Sequence, residues 1–348
     1  MERETVVIIG GGLSGLLTAY RLKKAGIPFK VLEARSRPGG RIHTVKGANQ
    51  TPVEMGATWF HHEHRHLIEL LRELGLSFYE QYMTGQSYFQ ARPGVPAEAF
   101  VMPEQAPSYR ITGGSESLIL KLLESLDPED VLLNQPVSSI DFSDREVSIR
   151  ARNTFKANRV VMALPPKLWE QLITFRPALS ELMAETARKT QTWMEETMKM
   201  ALIYERPFWR ESNRSGTLFS NVGPVTELYD HCDQELSRYA LCGFLHSGYR
   251  DMEPSLRQQL VVKQLVDVFG DEVNSLIDYQ ELDWGQEVYT GAPGLPLFPH
   301  HNNGNLLYQN AAYGDRLFFS GTETSPHHGG YMEGAVFASN QVYAQLLR

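Results

Sequence analysis

The amino-acid sequence predicts an α/β protein with one large or two moderate domains. At the N-terminus, the apolar run 6–9 breaks at a glycine-rich turn, passes into a helical pattern, and is followed by a second apolar run at 29–32. This order is typical of a strand–helix–strand unit. Near the C-terminus, a short apolar strand runs into a polar turn and a final amphipathic helix. The 348 residues, 42% of them hydrophobic, are enough for cores of that size.

The first turn carries the pattern G-x-G-x-x-G, in which each glycine has its own role. Gly10 permits the tight turn, Gly12 lets the backbone approach a pyrophosphate, and Gly15 allows close packing of helix on strand. Ser14 lies at the start of that helix, where free N–H groups and the positive end of the dipole favour phosphate. Glu33 follows about twenty residues later, where an acid binds the adenosine ribose hydroxyls and disfavours the 2′-phosphate of NADP. The sequence therefore predicts a Rossmann-like dinucleotide-binding unit.

A second glycine turn, RPGGR at 37–41, comes just after this acid. A glycine pair flanked by arginines can bring backbone and guanidinium to one pyrophosphate, and Gly40 and Arg41 are the candidates. Taken alone, the segment is more typical of an ordinary polar turn. Its interpretation therefore depends on the rest of the chain.

Eight segments together resemble the flavin-containing amine oxidase family, which includes monoamine oxidases, polyamine oxidases and histone-demethylase oxidase domains. In chain order they are GGGLSG, LEARSRPGGR, VEMGATWF, YRITGGSESL, ANRVVMALPP, MKMALIYERPFW, FFSGTET and GYMEGAVFAS. The resemblance implies FAD in extended form, held by a Rossmann-like FAD-binding domain that is interleaved with a smaller α+β substrate domain. It places the FAD-binding domain at 1–76, 108–166 and 287–348, and the substrate domain at 77–107 and 167–286.

The resemblance also implies the residues that contact the cofactor. The ribose, phosphate and adenine contacts would come from the glycine turns, Glu33, Arg35 and Val137. The flavin ring would lie along Gly56, Ala57, Thr58 and Trp59, with Trp284 near its dimethylbenzene side. The segments around Gly321, Glu323, Tyr331, Met332 and Ala335 would complete the site from the C-terminal part of the chain. For each of these residues, simple packing is the alternative.

Lys199 is the main candidate for chemistry. It stands in the apolar strand TMKMALIY, where a lysine is out of place. By pattern alone, a lysine that reaches solvent at a sheet edge is the commoner case. The family's matching lysine holds a water against flavin N5, so the resemblance implies a role in reoxidation by O2 or in proton transfer.

Tyr331 is the second catalytic candidate. The matching residue in monoamine oxidases forms one wall of an aromatic cage before the flavin. The alignment puts Pro293 at the cysteine that bonds covalently to FAD and Gly294 at the tyrosine of the other wall. We therefore expect that FAD is bound non-covalently and that the half-built cage has only one of its two aromatic walls, Tyr331. Tyr289 or Trp59 is either a replacement for the missing wall or an ordinary packed aromatic residue.

Two further segments bear on the substrate site. Between Phe78 and Tyr109 the chain has about thirty residues where monoamine oxidases place a large helical subdomain, which predicts a shallower pocket unless a partner subunit covers it. The run 62–66 contains H-E-x-x-H, a zinc-site pattern, but no third ligand follows at the usual spacing. We expect no metal there, and a solvated helix start is more typical than a polar rim for a cationic substrate.

Charge and cysteine content limit the partners. The net charge of −8 is spread along the chain, which argues against nucleic-acid binding and suits cationic or neutral small substrates. No signal-peptide pattern and no run of roughly twenty apolar residues is present, so we expect no membrane span. Cys232 and Cys242 form no disulfide framework or metal spacing, which suits a reducing cytoplasm. A homo-oligomer is left open.

These observations predict an FAD-dependent oxidoreductase. The resemblance implies oxidation of an amine to an imine by hydride transfer to flavin N5, with O2 reoxidising the flavin to H2O2. The segment after Gly56 has no arginine placed to clamp a carboxylate, which favours simple amines over amino acids. The alternatives are a dehydrogenase, desaturase or isomerase of an apolar substrate, and a flavoprotein without catalytic activity.

Overall fold

A computed structural model describes residues 5–291 and 302–348. Eight helices lie within these residues: Leu13–Ala25 (α1), Arg65–Glu73 (α2), Glu116–Glu124 (α3), Pro166–Leu172 (α4), Glu181–Arg188 (α5), Phe208–Glu211 (α6), Pro254–Phe269 (α7) and Met332–Leu346 (α8). The strands are Val6–Ile9 (β1), Phe29–Leu32 (β2), Thr44–Lys46 (β3), Pro52–Glu54 (β4), Phe60–His61 (β5), Phe78–Glu80 (β6), Gln86–Gln90 (β7), Glu98–Val101 (β8), Ser108–Ile111 (β9), Val131–Leu132 (β10), Ser139–Asp141 (β11), Val147–Arg150 (β12), Thr154–Ala157 (β13), Arg159–Met162 (β14), Thr174–Arg176 (β15), Met198–Tyr204 (β16), Arg214–Ser220 (β17), Val225–Asp230 (β18), Tyr239–Leu245 (β19), Asp278–Asp283 (β20) and Leu317–Phe319 (β21).

A five-stranded parallel sheet in the order β10-β2-β1-β14-β21 forms the first layer. All four residues of β1 are buried, which is why that run is apolar without alternation. Helices α1 and α8 pack against each other on this sheet, although they lie at opposite ends of the sequence. The strand–helix–strand unit predicted from the first 32 residues is confirmed, and so is the α/β class.

The glycine turn between β1 and α1 depends on two glycines for its shape. Gly10 has φ +109°, a conformation that L side chains rarely adopt. A Cβ on Gly15 would lie 2.0 Å from the carbonyl oxygen of Gly10. Gly15 therefore acts through close packing of α1 on β1, as the sequence predicts.

Replacing Gly15 by alanine should lower the free energy of unfolding by about 3 kcal/mol, because a methyl group cannot share that space with a backbone oxygen. The midpoint of urea denaturation of the apoprotein measures the loss. Gly12→Ala is the matched control, since its added Cβ meets no atom nearer than 3.9 Å and should move the midpoint far less. Equal midpoints for the two variants would contradict this account.

A seven-stranded sheet in the order β20-β16-β19-β18-β17-β7-β8 forms the second large unit. One of its faces is buried on α7, and that core includes Met198, Met200, Leu202, Leu218, Leu228 and Leu241 from the strands and Val261, Leu265 and Phe269 from the helix. Near β4, a smaller cluster with Val53, Met55, Ala201 and Cys242 joins the other face to the rest of the molecule. A four-stranded sheet, β13-β12-β11-β15, packs with the first sheet in a third core.

Most elements predicted from the sequence are present, with ends that differ by a few residues. The run VLLN at 131–134 predicts a strand, but the strand ends at Leu132, because Asn134 has φ +57° and cannot continue it. The pattern at 179–190 predicts a helix, and in the structure this helix is Glu181–Arg188, with Ser180 as its N-cap. The segment 77–107 shows no strand pattern in the sequence, yet it supplies β7 and β8 to the large sheet. Its strands are short and mix polar with aromatic residues, so no clear period marks them.

Candidate functional site

A cavity of about 440 Å³ lies at the carboxyl ends of β1 and β2, the usual place for a ligand in an open parallel sheet. Many of the residues predicted from the sequence line it: Gly10, Gly12, Ser14, Glu33, Arg35, Gly40, Arg41, Ala57, Val137, Gly321, Tyr331, Met332 and Ala335. They come from both ends and the middle of the chain. The fold therefore brings the separate motifs to one place.

Two helix N-termini open onto this cavity. Gly12 is the N-cap of α1 and Tyr331 that of α8, and neither provides a side-chain hydrogen bond to its helix. The first N–H groups of both helices therefore lack a capping side chain and can donate to a ligand. Ser14 Oγ lies 2.5 Å from Ser320 Oγ, which ties the start of α1 to the end of β21.

The two glycine turns face each other across a narrow slot. Gly12 is bridged to Gly39, and a Cβ on Gly40 would lie 3.3 Å from the Cα of Gly12. A Cβ on Gly12 would meet nothing closer than the Gly39 oxygen at 3.9 Å. Both sides of the slot are thus formed by backbone atoms without side chains. A side chain at either turn would occupy the space that a ligand could use.

Glu33 is fixed at the end of β2. It is 3% exposed, its Oε2 accepts from the Gly11 N–H at 2.7 Å, and its Oε1 accepts from the Arg35 N–H at 2.8 Å. The Arg35 guanidinium turns away from it and donates to Glu287 at 3.2 Å and Thr290 at 2.7 Å. An anchored carboxylate beside the slot suits sugar hydroxyls. Val137 lies farther along the same wall, next to Gln135, Pro136 and Ser138.

Lys199 is buried, with 1% of its surface exposed. Its Nζ donates to the Gly56 carbonyl at 3.0 Å and to Thr58 Oγ1 at 2.7 Å, and lies over the rings of Trp59 and Phe244 at 5.1 and 5.2 Å. An ammonium has three donors, so one remains for a ligand or water. No carboxylate within the described ranges lies within 4 Å of Nζ. The lysine thus occupies an aromatic setting, not the sheet-edge position that the pattern alone suggested.

Two buried titratable groups adjoin this lysine. Burial raises the pKa of Glu54, whose carboxylate accepts from the Ser115 N–H at 2.5 Å and from Thr44 Oγ1 at 3.0 Å. Burial, together with the positive charges of Arg110 and Lys199, holds the pKa of His231 well below its ordinary value. His231 is therefore neutral at pH 7, and it accepts from the Glu54 N–H at 3.3 Å.

Tyr331 is 41% exposed at the mouth of the cavity. Its ring lies 6.0 Å from Trp193 and 5.1 Å from His64, and burial lowers the pKa of that histidine to about 4. Trp193 was not predicted, because it belongs to no recognisable motif. Of the substitutes considered for the second wall, Tyr289 lies under the Arg35 guanidinium and Trp59 packs on Tyr229. Pro293 and Gly294 lie outside the described residues.

The other predicted residues surround the cavity instead of lining it. Gly56 packs on Arg41, whose carbonyl oxygen would lie 2.1 Å from an added Cβ. Trp284 Nε1 donates to the Met55 carbonyl at 2.5 Å. Glu323 is fully buried, and its carboxylate accepts from both terminal nitrogens of Arg41 at 2.5 and 2.9 Å. This ion pair connects the second glycine turn to the C-terminal motif.

The family model for flavin containing amine oxidoreductase matches residues 13–94 and 76–342. The chain belongs to this family. It is 24% identical to human amine oxidase [flavin-containing] B, over 98% of this chain and 86% of that protein. It is equally similar, at 24%, to the probable flavin-containing monoamine oxidase A of Dictyostelium discoideum, over 98% and 97% of the two chains. The family resemblance predicted from the sequence is confirmed.

Solved structures of the same family share the fold. A wild-type putrescine oxidase bound to putrescine superposes with a TM-score of 0.86 at 22% identity, covering 99% of both chains. Cyclohexylamine oxidase from Brevibacterium oxydans IH-35A superposes at 0.85 with 20% identity, covering 99% of this chain and all of the other. The chain is thus a flavin-dependent oxidoreductase with the flavin amine oxidase fold. The bare slot, the uncapped helix starts and the anchored acid fit a flavin dinucleotide.

The zinc-like run 62–66 straddles the start of helix α2. Helix α2 begins at Arg65, so His62 and His66 of the zinc-like pattern do not share a helical face. His62 instead lies 3.3 Å from Glu63, and both are exposed. Within residues 5–291 and 302–348, no group of three or more His, Cys, Asp or Glu side chains is placed to hold a metal ion. Nor does any helix in those ranges have the length and apolar character needed to cross a bilayer.

Proposed function

We propose that this protein is an amine oxidase that holds FAD non-covalently, oxidises an amine to an imine, and uses O2 as acceptor with release of H2O2. The observation that carries the proposal is the buried Lys199 ammonium, which is held by Gly56 and Thr58 and lies over the rings of Trp59 and Phe244. When bound, the flavin accepts a hydride equivalent from the α-carbon of the amine. The imine then hydrolyses in water.

The residues around the slot would hold the cofactor. Gly12 and Gly40 would cradle the pyrophosphate, Glu33 would accept from the ribose hydroxyls, and Val137 would contact the adenine. The start of α8, with Met332, would donate an N–H to the flavin end, and Ala335 would pack beside it because its own N–H donates to the Tyr331 carbonyl at 3.4 Å. We propose the same division into an FAD-binding and a substrate domain that the sequence predicted, with the seven-stranded sheet in the latter.

Non-covalent binding is supported by the position of the cysteines. Both lie on the seven-stranded unit, are buried, and have thiols whose pKa is raised by burial, so both thiols are protonated. Cys242 Sγ lies 3.3 Å from the Glu54 carbonyl, and neither cysteine lines the cavity. Two unpaired thiols also support our placing of the enzyme in a reducing compartment such as the cytoplasm.

Lys199 and Tyr331 would act on the reaction from different sides. The free N–H of Lys199 would hold a water against the flavin and deliver a proton during reoxidation. Tyr331 and Trp193 would orient the neutral amine and exclude water at the mouth of the cavity. Trp193, which lies outside the family motifs, would then form the second aromatic wall of the cage, opposite Tyr331.

Anaerobic mixing of the purified yellow protein with a panel of amines tests the proposal. We expect one class of amine to bleach the flavin absorbance, and peroxide to appear when air is admitted. Dithionite provides the control, because it reduces any accessible flavin. If dithionite bleaches the flavin and no amine does, amine oxidation is wrong, and apolar substrates of a dehydrogenase or isomerase become the leading alternative.

A further inference from the structure

Thr58 lies in the segment that joins β4 to β5, beside the buried end of Lys199. Its side chain is itself buried, with 3% of its surface exposed. The backbone that carries it is fixed on the second glycine turn. The Ala57 N–H donates to the Arg41 carbonyl at 3.0 Å, and a Cβ on Gly56 would lie 2.1 Å from that same oxygen. The Thr58 hydroxyl therefore stands on a backbone with little freedom to move.

The Thr58 hydroxyl, the Gly56 carbonyl and the Lys199 ammonium form a closed triangle of hydrogen bonds. Lys199 Nζ donates to the carbonyl at 3.0 Å and to Thr58 Oγ1 at 2.7 Å, and Thr58 Oγ1 donates to the carbonyl at 3.1 Å. A hydroxyl has a single proton, and this one is used on Gly56. Thr58 Oγ1 can therefore only accept from the lysine. Both lone pairs of the carbonyl are occupied in the same arrangement.

Two acceptors hold a lysine much more firmly than one. The ammonium ends a flexible four-carbon stem, so a single acceptor would leave the side chain free to pivot about that one hydrogen bond. The Thr58 hydroxyl removes this freedom, and its own orientation is stiff because threonine is branched at Cβ. The rings of Trp59 and Phe244, at 5.1 and 5.2 Å, attract the charge without fixing the direction of any one N–H.

The third N–H of Lys199 follows from the other two. A tetrahedral ammonium nitrogen bears one carbon and three protons, so fixing the carbon and two N–H bonds fixes the direction of the last. The triangle has no acceptor left for this N–H, because the carbonyl is filled and the hydroxyl already accepts from the lysine. The remaining donor is thus held in one direction and is available to a water or a ligand.

We propose that Thr58 is a positioning residue, which directs the third N–H of Lys199 toward the water that the lysine holds during reoxidation. This inference rests on the proposed function, because the role of the lysine belongs to it. Thr58 acts through Lys199 and not on the amine. Without the hydroxyl, the ammonium would stay bonded to Gly56 but its free N–H would lose its fixed direction, and a donor acts on a reaction only when it is held in the productive geometry.

Thr58→Val tests the inference, because valine keeps the branched shape and lacks the hydroxyl. Photoreduction in the presence of EDTA gives the reduced holoenzyme without any amine, and stopped-flow mixing with oxygenated buffer gives the rate. We expect Thr58→Val to slow reoxidation about tenfold, and Thr58→Ser, which returns the hydroxyl, to restore most of the rate. The flavin absorbance of each purified variant verifies that it has folded and holds its cofactor.

Thr217→Val is the matched control. Thr217 is fully buried on β17 of the seven-stranded sheet, and its hydroxyl donates only weakly, to the Met83 sulfur at 3.9 Å. This variant loses a buried hydroxyl from the same unit and should keep the wild-type reoxidation rate. Equal slowing by Thr217→Val and Thr58→Val would overturn the inference, because the loss of any buried hydroxyl would then have the same effect.

Combining Thr58→Val with Lys199→Met separates positioning from an independent effect. Once the ammonium is gone, Thr58→Val should slow reoxidation no further. This result, with rescue by serine, supports the inference even if no amine reduces the flavin and amine oxidation is wrong. A wild-type rate in Thr58→Val beside a slow Lys199→Met would overturn the inference and leave the role of the lysine intact. Equal slowing by Thr58→Val with and without Lys199 would also overturn it, because Thr58 would then act by itself.

Discussion

Replacing Gly12 by valine should abolish flavin binding while the apoprotein still folds. Gly12 has φ −79° and ψ −176°, a conformation that valine adopts freely, and its Cβ direction is open in the structure. The new side chain would stand in the slot opposite Gly40, where the pyrophosphate must approach the backbone. Hydrogen bonds to a charged group are worth about 1.5–3 kcal/mol each, so losing two weakens affinity on the order of a thousandfold.

Flavin content after purification and titration of the apoprotein with FAD measure this effect. Gly12→Ala should show a smaller loss, because its methyl group intrudes less. Urea denaturation of both apoproteins should resemble that of wild-type apoprotein, unlike Gly15→Ala, in which the fold itself is strained. A Gly12→Val protein that is purified with full flavin would contradict the placement of the pyrophosphate.

Replacing Lys199 by methionine should slow reoxidation of the reduced flavin by O2 about a hundredfold or more. The change removes the buried ammonium and the donor that would hold a water, which is the scale on which a positioned proton donor acts. It also removes the lysine donor from Thr58 Oγ1 and from the Gly56 carbonyl, although that carbonyl still accepts from the Thr58 hydroxyl at 3.1 Å. Stopped-flow mixing of reduced enzyme with oxygenated buffer measures the rate directly.

Anaerobic reduction by substrate should be affected much less, because the lysine is proposed to act in the oxidative half-reaction. Lys167→Met is the matched control: Lys167 is also buried, but its ammonium is paired with the Glu195 carboxylate at 2.8 Å, whereas that of Lys199 has only a carbonyl and a hydroxyl as acceptors. That variant should lose stability, because it leaves a buried carboxylate unpaired, and keep its reoxidation rate. Equal slowing in the two variants would mean that Lys199 acts through the fold alone.

Features set by neighbouring residues could be predicted from the sequence. The run of β1, the turn at Gly10 and the strand β16 each have a local signature, because apolar runs and glycines constrain the backbone where they stand. The anchored position of Glu33 follows from the same unit, since its carboxylate binds the turn only about twenty residues away. Lys199 could be singled out because a charge in a buried strand is conspicuous.

Contacts between distant segments could not be predicted in this way. The ion pair of Arg41 with Glu323 and the ring contact of Tyr331 with Trp193 join parts of the chain that have no common period or spacing. The strands β7 and β8 were missed for a related reason. Their mixed polar and aromatic sequences become strands because β17 provides an edge for β7 to pair with, and β7 in turn provides one for β8.

The sequence by itself determined the dinucleotide-binding unit, its glycine slot, the acid beside it and the lysine in β16, since each depends on residues close together in the chain. The tertiary structure decided which side chains share the face of the seven-stranded sheet that carries Lys199. Lys199, Phe219, Glu227 and Phe244 lie on four strands, and only the pairing register aligns them. That register is set by packing of the opposite face on α7, because a slip of one residue would turn every apolar side chain away from its core.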